Sequence, residues 1–165
     1  GLISEQVERI EVTTFHESVR LATNTPRTTE EAQYSTSFTC AVALVRDGVL
    51  PADIADDALD DPEILRLSRG LVMQESDFAN ATFPSDRYAK VDLVLKDGQR
   101  LEGEYLQPRW DHRVPPTETE LREKFRELAT PVLGEHRTIA IEEALKSLPV
   151  TGLAPLTDQL FQPIS

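Results

Sequence analysis

The stretch from Thr28 to Gly48, TTEEAQYSTSFTCAVALVRDG, decides the fold because it predicts one long buried helix. Thr28 is followed three residues later by Glu31, which is the spacing of a capping box at a helix start. Gly48 is the residue type that favours the positive φ found just beyond a helix end. Apolar side chains recur at helical spacing between these ends, so one side of the helix should face a core; they are Tyr34, Phe38, Ala41, Val42 and Val45.

Strand patterns lie on both sides of this helix in the sequence. Alternating or short apolar runs bounded by turn residues indicate strands, and Asp-Gly between two such runs indicates a hairpin. We therefore expect an α+β fold with two layers, a mostly antiparallel sheet of about four strands covered by helices, and a helical C-terminal tail. The predicted strands are Val7 to Thr14, Leu71 to Glu75, Tyr88 to Leu95, and a last one from Leu101, which follows Asp97-Gly98.

The same segments resemble a known family. Glu31-Ala32-Gln33-Tyr34-Ser35 precedes an alanine-rich helix that ends at Asp47-Gly48. Further along come Asp61-Pro62-Glu63-Ile64, the hairpin with Asp97-Gly98, and Pro115-Pro116-Thr117-Glu118. In this order, over roughly the whole chain, they resemble the C-terminal domain of the MmgE/PrpD family. That family includes 2-methylcitrate dehydratases, cis-aconitate decarboxylases and related epimerases.

The resemblance implies where the chemistry takes place. Family members carry catalytic His, Lys and Asp residues in a larger helical domain ahead of this region, and the smaller α/β domain covers the active-site cleft as a lid. It implies a cofactor-independent lyase or isomerase acting on a small di- or tricarboxylic acid, with no catalytic residue in this chain, which alone should be inactive. We place the lid-like domain at residues 1–134 and the tail at residues 135–165. The tail should pack on the helical domain of the same protein, and we expect a homo-oligomer.

Two segments contain candidate substrate contacts that could bind an anion. His16 and Arg20 follow the first strand, in a loop that in the resemblance faces the cleft; the substrate-contacting Tyr of some relatives is not matched there. Arg109 and His112 belong to a basic and aromatic segment that in relatives lies near the domain junction. A guanidinium suits a carboxylate because its donors form a fork. The alternative is that both segments are solvated, with Trp110 packed against the fold.

A third candidate site lies at the start of the long predicted helix. Gln33 and Ser35 stand where free N–H groups of a first helical turn could bind a substrate carboxylate. The structural alternative is ordinary helix initiation, with Tyr34 packed in the core.

The amino-acid composition limits which partners and sites the chain can have. The chain has 165 residues, of which 17 are basic and 29 acidic, so its formal net charge is −12. This charge repels phosphate backbones, and we expect no nucleic-acid partner. Cys40 is the single cysteine and the three histidines show no ligand spacing, so we predict neither a disulfide nor a metal site. The single cysteine fits a reducing compartment, so we expect a cytoplasmic protein. No apolar run approaches the roughly 20 residues of a membrane span, so we expect no membrane partner.

A second class of function is compatible with the same sequence. A free-standing interaction or regulatory module could keep a sheet-and-helix scaffold without any catalysis, because a fold does not dictate a function.

Overall fold

The computed structural model describes residues 3–21 and 23–164, and the chain divides into two compact units. The first unit is Gly1–Pro108 and the second is Arg109–Ser165. The first contains the sheet with its helices, and the second contains the C-terminal helices. The predicted α+β class with a helical C-terminal tail is therefore confirmed.

The sheet has four strands in the order β2-β1-β3-β4. Strand β1 pairs in parallel with β2 and antiparallel with β3, and β3 pairs antiparallel with β4. The sheet is thus mixed, and the prediction of a mostly antiparallel sheet was wrong in this respect. The chain between β1 and β2 contains several helices, which is the kind of long crossover that parallel neighbours require. The strands are β1 (Val7–Thr14), β2 (Val72–Glu75), β3 (Lys90–Leu95) and β4 (Arg100–Leu101).

Helices form the second layer of the first unit. Its helices are α1 (His16–Val19), α2 (Thr29–Gln33), α3 (Thr36–Arg46), α4 (Pro62–Gly70) and α5 (Asp77–Thr82), with 3-10 turns at Ser4–Gln6, Pro51–Ile54 and Asp56–Ala58. Helices α3 and α4 pack on each other, and α4 packs on β1. The buried core joins Phe38 and Val42 of α3 and Leu67 of α4 with Ile10 and Val12 of β1.

The long helix predicted between Thr28 and Gly48 is in fact two helices, so that prediction was wrong in detail. Helix α2 is capped by the Thr28 side chain, which accepts from the Glu31 amide as predicted, but the Glu31 carboxylate accepts from the Arg27 amide and so does not close the capping box. Ser35 then accepts a hydrogen bond from the Phe38 amide and caps α3. Because this second cap interrupts the helix, Tyr34 falls between the helices and is 66% exposed rather than packed in the core. The left-handed residue after α3 is Asp47, with φ 60°, in place of Gly48.

The hairpin between β3 and β4 turns at Asp97-Gly98, as predicted, and Gly98 has the positive φ of 88° that the turn requires. Beyond β4, the backbone of Gly103 approaches β3 closely. A Cβ built on Gly103 would lie 2.3 Å from the carbonyl oxygen of Val91. Only glycine fits this approach without a shift of the main chain.

The second unit contains α6 (Glu118–Leu133), α7 (Glu135–Thr151) and α8 (Ala154–Leu160). Thr117 and Glu120 form the predicted capping box at the start of α6. Helices α6 and α7 pack together, and Arg126 Nε lies 2.7 Å from a carboxylate oxygen of Glu142, across that contact. The compact unit begins at Arg109, whereas the sequence analysis placed the tail at residues 135–165. Helix α6 therefore groups with the tail in this structure, and packing of the tail on a further domain stays a prediction.

Candidate functional site

The carboxyl ends of the two parallel strands carry the first candidate cluster. Thr14 ends β1 and is paired in register with Glu75, which ends β2. His16, two residues after Thr14, places its Nδ1 atom 2.8 Å from Oε1 of Glu75. The Asn80 side chain completes the cluster, because its Oδ1 accepts from the His16 amide at 2.7 Å and its Nδ2 donates to Oε2 of Glu75 at 3.3 Å.

The electrostatics of this cluster favour an ionised Glu75. The hydrogen bond from His16, followed by that from Asn80, lowers the pKa of Glu75 below its ordinary value. The His16 side chain is 54% exposed. Among the described residues no group bonds its Nε2 atom. The cluster therefore presents a ring nitrogen that a ligand can reach.

Arg20 lies one turn further along, in the segment that follows α1. Its side chain is exposed and its guanidinium makes no ion pair with the part of the chain that the structure describes. The next residue, Leu21, accepts a hydrogen bond from the Thr36 amide at 2.8 Å. The backbone beside Arg20 is thus fixed against the first turn of α3, while its guanidinium remains available to an anion.

Ser35 and Gln33 occupy different environments at the α2–α3 junction. The Ser35 side chain is buried, accepts from the Phe38 amide at 2.9 Å and donates to the carbonyl of Thr23. Its hydroxyl is therefore engaged in capping α3 and in fixing the segment at Thr23. Gln33 ends α2 and is exposed. The structure thus brings Ser35 close to the segment after Arg20, and the prediction that Gln33 and Ser35 contact substrate stays untested.

Arg109 and His112 lie in the second unit. Arg109 donates to Oε1 of Glu120 at 2.7 Å, and its guanidinium carbon lies 5.4 Å from the centre of the Trp110 ring. His112 hydrogen-bonds through Nδ1 to its neighbour Asp111. Hydrogen bonds from Thr117, then from Arg109, bring the pKa of Glu120 from 4.5 to about 2. Both candidate groups are exposed, and both are engaged by carboxylates of this chain.

An ion network that the sequence analysis did not identify occupies the other face of β1 and β3. Arg100 bridges Glu11 and Asp92, at 2.8 and 2.6 Å, and these two carboxylates face each other in register across the strands. Lys90 lies 3.1 Å from Asp92, and the Gly103 amide donates to Asp92 at 3.0 Å. The signal that could have revealed the network is the placement of two acids in the middle of alternating strands.

The same network explains why these acids stay ionised. The Arg100 hydrogen bond is the largest influence on Glu11, and it lowers the pKa of that carboxyl despite burial. Burial acts to raise the pKa of Asp92, but the hydrogen bonds from Gly103, Arg100 and Lys90 outweigh it and the pKa is lowered. Because each carboxylate already has cationic partners, this network links β1, β3 and β4 and offers no free charge to a substrate.

An apolar groove of about 450 Å³ runs between α3 and the β3–β4 hairpin. Cys40 and Leu44 line it from α3, and Val91 and Leu101 line it from the sheet. Burial raises the pKa of the Cys40 thiol, so this sulfur is a protonated, apolar lining group. Such a lining suits hydrophobic contact and does not suit a di- or tricarboxylate.

No group of three or more His, Cys, Asp or Glu side chains in residues 3–21 and 23–164 could hold a metal ion. Within the same residues, no helix combines the length and the apolar character that a membrane span needs.

Fold and site together define the class of this protein as a mixed-sheet α+β domain with an exposed histidine at the end of its first parallel strand and an exposed arginine shortly after it. Residues 1–148 match the profile of the MmgE/PrpD C-terminal domain, and the chain belongs to that family. A search of curated proteins found no match.

Proposed function

We propose that this chain is the lid domain of an MmgE/PrpD-like lyase or isomerase that acts on a small di- or tricarboxylic acid. The reaction is a dehydration, a decarboxylation or an epimerisation, and the main catalytic residues belong to an N-terminal helical domain of the same protein. The observation that carries the proposal is the family match over residues 1–148, because it includes the whole sheet and its helices.

The lid contributes cationic contacts and the exclusion of water from the cleft. Arg20 is the strongest contact, because its guanidinium has no carboxylate partner among the described residues. Arg109 and His112 are weaker candidates, since a substrate must compete with Glu120 and Asp111 for them. In a chain of net charge −12, such local cations are needed to bind an anionic substrate.

Contacts with further polypeptide are part of the same proposal. Leu145, Val150 and Phe161 are exposed apolar side chains on α7 and beside α8. They support packing of the tail against the helical domain or a second copy. Concentration-dependent oligomers in light scattering are the expected result for this chain alone, and a strictly monomeric chain would contradict self-association.

The proposed function is tested with the complete gene product and a panel of citrate-like and succinate-like acids. Arg20→Ala should raise KM about 10-fold or more, because a hydrogen bond to a charged group contributes about 1.5–3 kcal/mol. Arg27→Ala is the matched control, because Arg27 is also an exposed arginine, close to Arg20 in the sequence, and its replacement removes the same charge. The proposal also places Arg109 and His112 among the contacts, and each is changed to Ala in the same assay.

Three outcomes count against this proposal. Unchanged kinetics in the Arg20, Arg109 and His112 variants would remove the cationic contacts. If the complete protein turns over none of the acids, the proposed lyase or isomerase activity is contradicted and the alternative of a non-catalytic module is favoured. Turnover by this chain alone would contradict the assignment of the main catalytic residues to another domain.

A further inference from the structure

We propose that His16 is a proton-transfer residue of the lid and that Glu75 is its positioning residue. The inference rests on the proposed function for the identity of the substrate class. Its structural basis is the closed set of hydrogen bonds that joins His16, Glu75 and Asn80 at the ends of two parallel strands.

The contact with Glu75 decides which ring nitrogen of His16 carries the proton. An ionised carboxylate only accepts hydrogen bonds, and Oε1 of Glu75 lies 2.8 Å from Nδ1 of His16. Nδ1 must therefore donate, and in the neutral ring the lone pair is left on Nε2. The partner of one ring nitrogen fixes the state of the other, so Glu75 selects the tautomer in which Nε2 is a base.

Two hydrogen bonds of Asn80 hold this arrangement in place. Asn80 binds both the backbone amide of His16 and the second carboxylate oxygen of Glu75. The three residues come from α1, β2 and α5, so the ring is oriented by elements distant in the sequence. His112 provides a contrast, because its carboxylate partner is its own neighbour Asp111 in a loop.

A ring held in this way can act as a general base. A substrate with a carbon or hydroxyl proton next to a carboxylate would give that proton to Nε2. A new N–H bond forms while the C–H or O–H bond breaks, and the electron pair stays on the substrate carbon or oxygen. The imidazolium that results lies against the Glu75 carboxylate, which stabilises its charge. The ligand class is therefore a small carboxylic acid with an acidic C–H bond or a hydroxyl group.

The tautomer is tested directly on this chain with ¹⁵N-labelled histidine and long-range ¹H–¹⁵N NMR. For neutral His16 we expect the pattern of protonated Nδ1 and unprotonated Nε2. Glu75→Ala should abolish this preference, whereas Glu17→Ala should leave it intact, because Glu17 carries the same charge beside His16 but does not bond its ring. A wild-type ring protonated at Nε2 would overturn the proposal.

Reactivity is the second readout on the same chain. Diethyl pyrocarbonate acylates neutral imidazole nitrogens, and mass spectrometry reports His16 and His136 in one sample. Relative to His136, and at a pH where both rings are neutral, the rate at His16 should fall in Glu75→Ala, because the carboxylate that accepts from Nδ1 raises the basicity of Nε2. The Glu17→Ala rate should match the wild type. A rate at His16 that is insensitive to Glu75 would contradict the positioning role.

Kinetics of the complete protein test the proton transfer itself. His16→Ala should lower kcat about 100-fold, the scale of general acid–base catalysis, with a smaller change in KM. Glu75→Gln should also lower kcat, by at least about 10-fold, because the amide neither fixes the tautomer nor stabilises the imidazolium. An active enzyme whose kcat ignores His16 overturns this inference and leaves the proposed function standing. If the complete wild-type protein has no activity, both the proposed function and the proton-transfer step are contradicted, even when the NMR experiment finds the expected tautomer.

Discussion

Replacing Gly103 by alanine tests the close packing between the segment after β4 and strand β3. A Cβ at Gly103 would lie 2.3 Å from the carbonyl oxygen of Val91 and 3.3 Å from its carbonyl carbon. Both neighbours are main-chain atoms, so the backbone itself must move, and overpacking of this kind costs about 1–3 kcal/mol. The movement also weakens the 3.0 Å hydrogen bond from Gly103 to Asp92. A hydrogen bond to a charged group contributes about 1.5–3 kcal/mol.

Gly103→Ala should therefore lower the free energy of unfolding of the first unit by about 2–5 kcal/mol, if the two losses partly overlap. The assay is urea denaturation followed by amide NMR signals of β1 and β3, because the single tryptophan, Trp110, belongs to the second unit. Gly48→Ala is the control, since a Cβ there meets nothing within 4 Å and the φ of Gly48 is not positive. A Gly103→Ala protein within about 0.5 kcal/mol of the wild type, the usual range of neutral surface changes, would refute the reasoning.

Three further predictions concern charged groups. The depressed pKa of Glu120 contributes stability at pH values above the ordinary pKa of 4.5, and this contribution is lost as the pH falls towards about 2. Glu120→Gln should therefore reduce the slope of the second unit's melting temperature against pH in that range, as measured by Trp fluorescence. Arg100→Leu leaves Glu11 and Asp92 opposed without their shared cation and should lower the urea midpoint of the first unit; adding Asp92→Asn should recover part of the loss. Arg137→Ala removes the hydrogen bonds to the carbonyls that end α8, so amide exchange should rise in residues 154–160 and stay unchanged in α6.

Local chemistry in the sequence predicted much of the fold. Capping by Thr28 and Thr117 and the turn at Asp97-Gly98 depend on a few adjacent residues, and the structure confirms all three. The break between α2 and α3 was missed because Ser35 can continue a helix or cap a new one. Its hydrogen bonds with Phe38 and Thr23 stabilise the cap, and these bonds form only in the folded protein.

Pairings between distant segments were harder to predict. The strand at Val72–Glu75 was recognised, but its parallel pairing with β1 depends on how the intervening helices pack. For the same reason His16 was identified as a candidate and Glu75 was not. The carboxylate meets the ring only because both strands end at the same edge of the sheet. Arg20 was identified from its residue type and from the position of its loop in the family resemblance, and its function remains a prediction.

The ion network around Arg100 also constrains how β1 and β3 can align while the chain folds. Successive side chains of a strand alternate between the two faces, so a misalignment of β1 by one residue would exchange Ile10 with Glu11. That exchange would place a charged carboxylate in the apolar layer beneath α4 and separate it from the guanidinium of Arg100. The acids in the middle of the strands thus favour the native alignment, because a misaligned pairing costs more free energy in this sheet than in one with only apolar side chains at these positions.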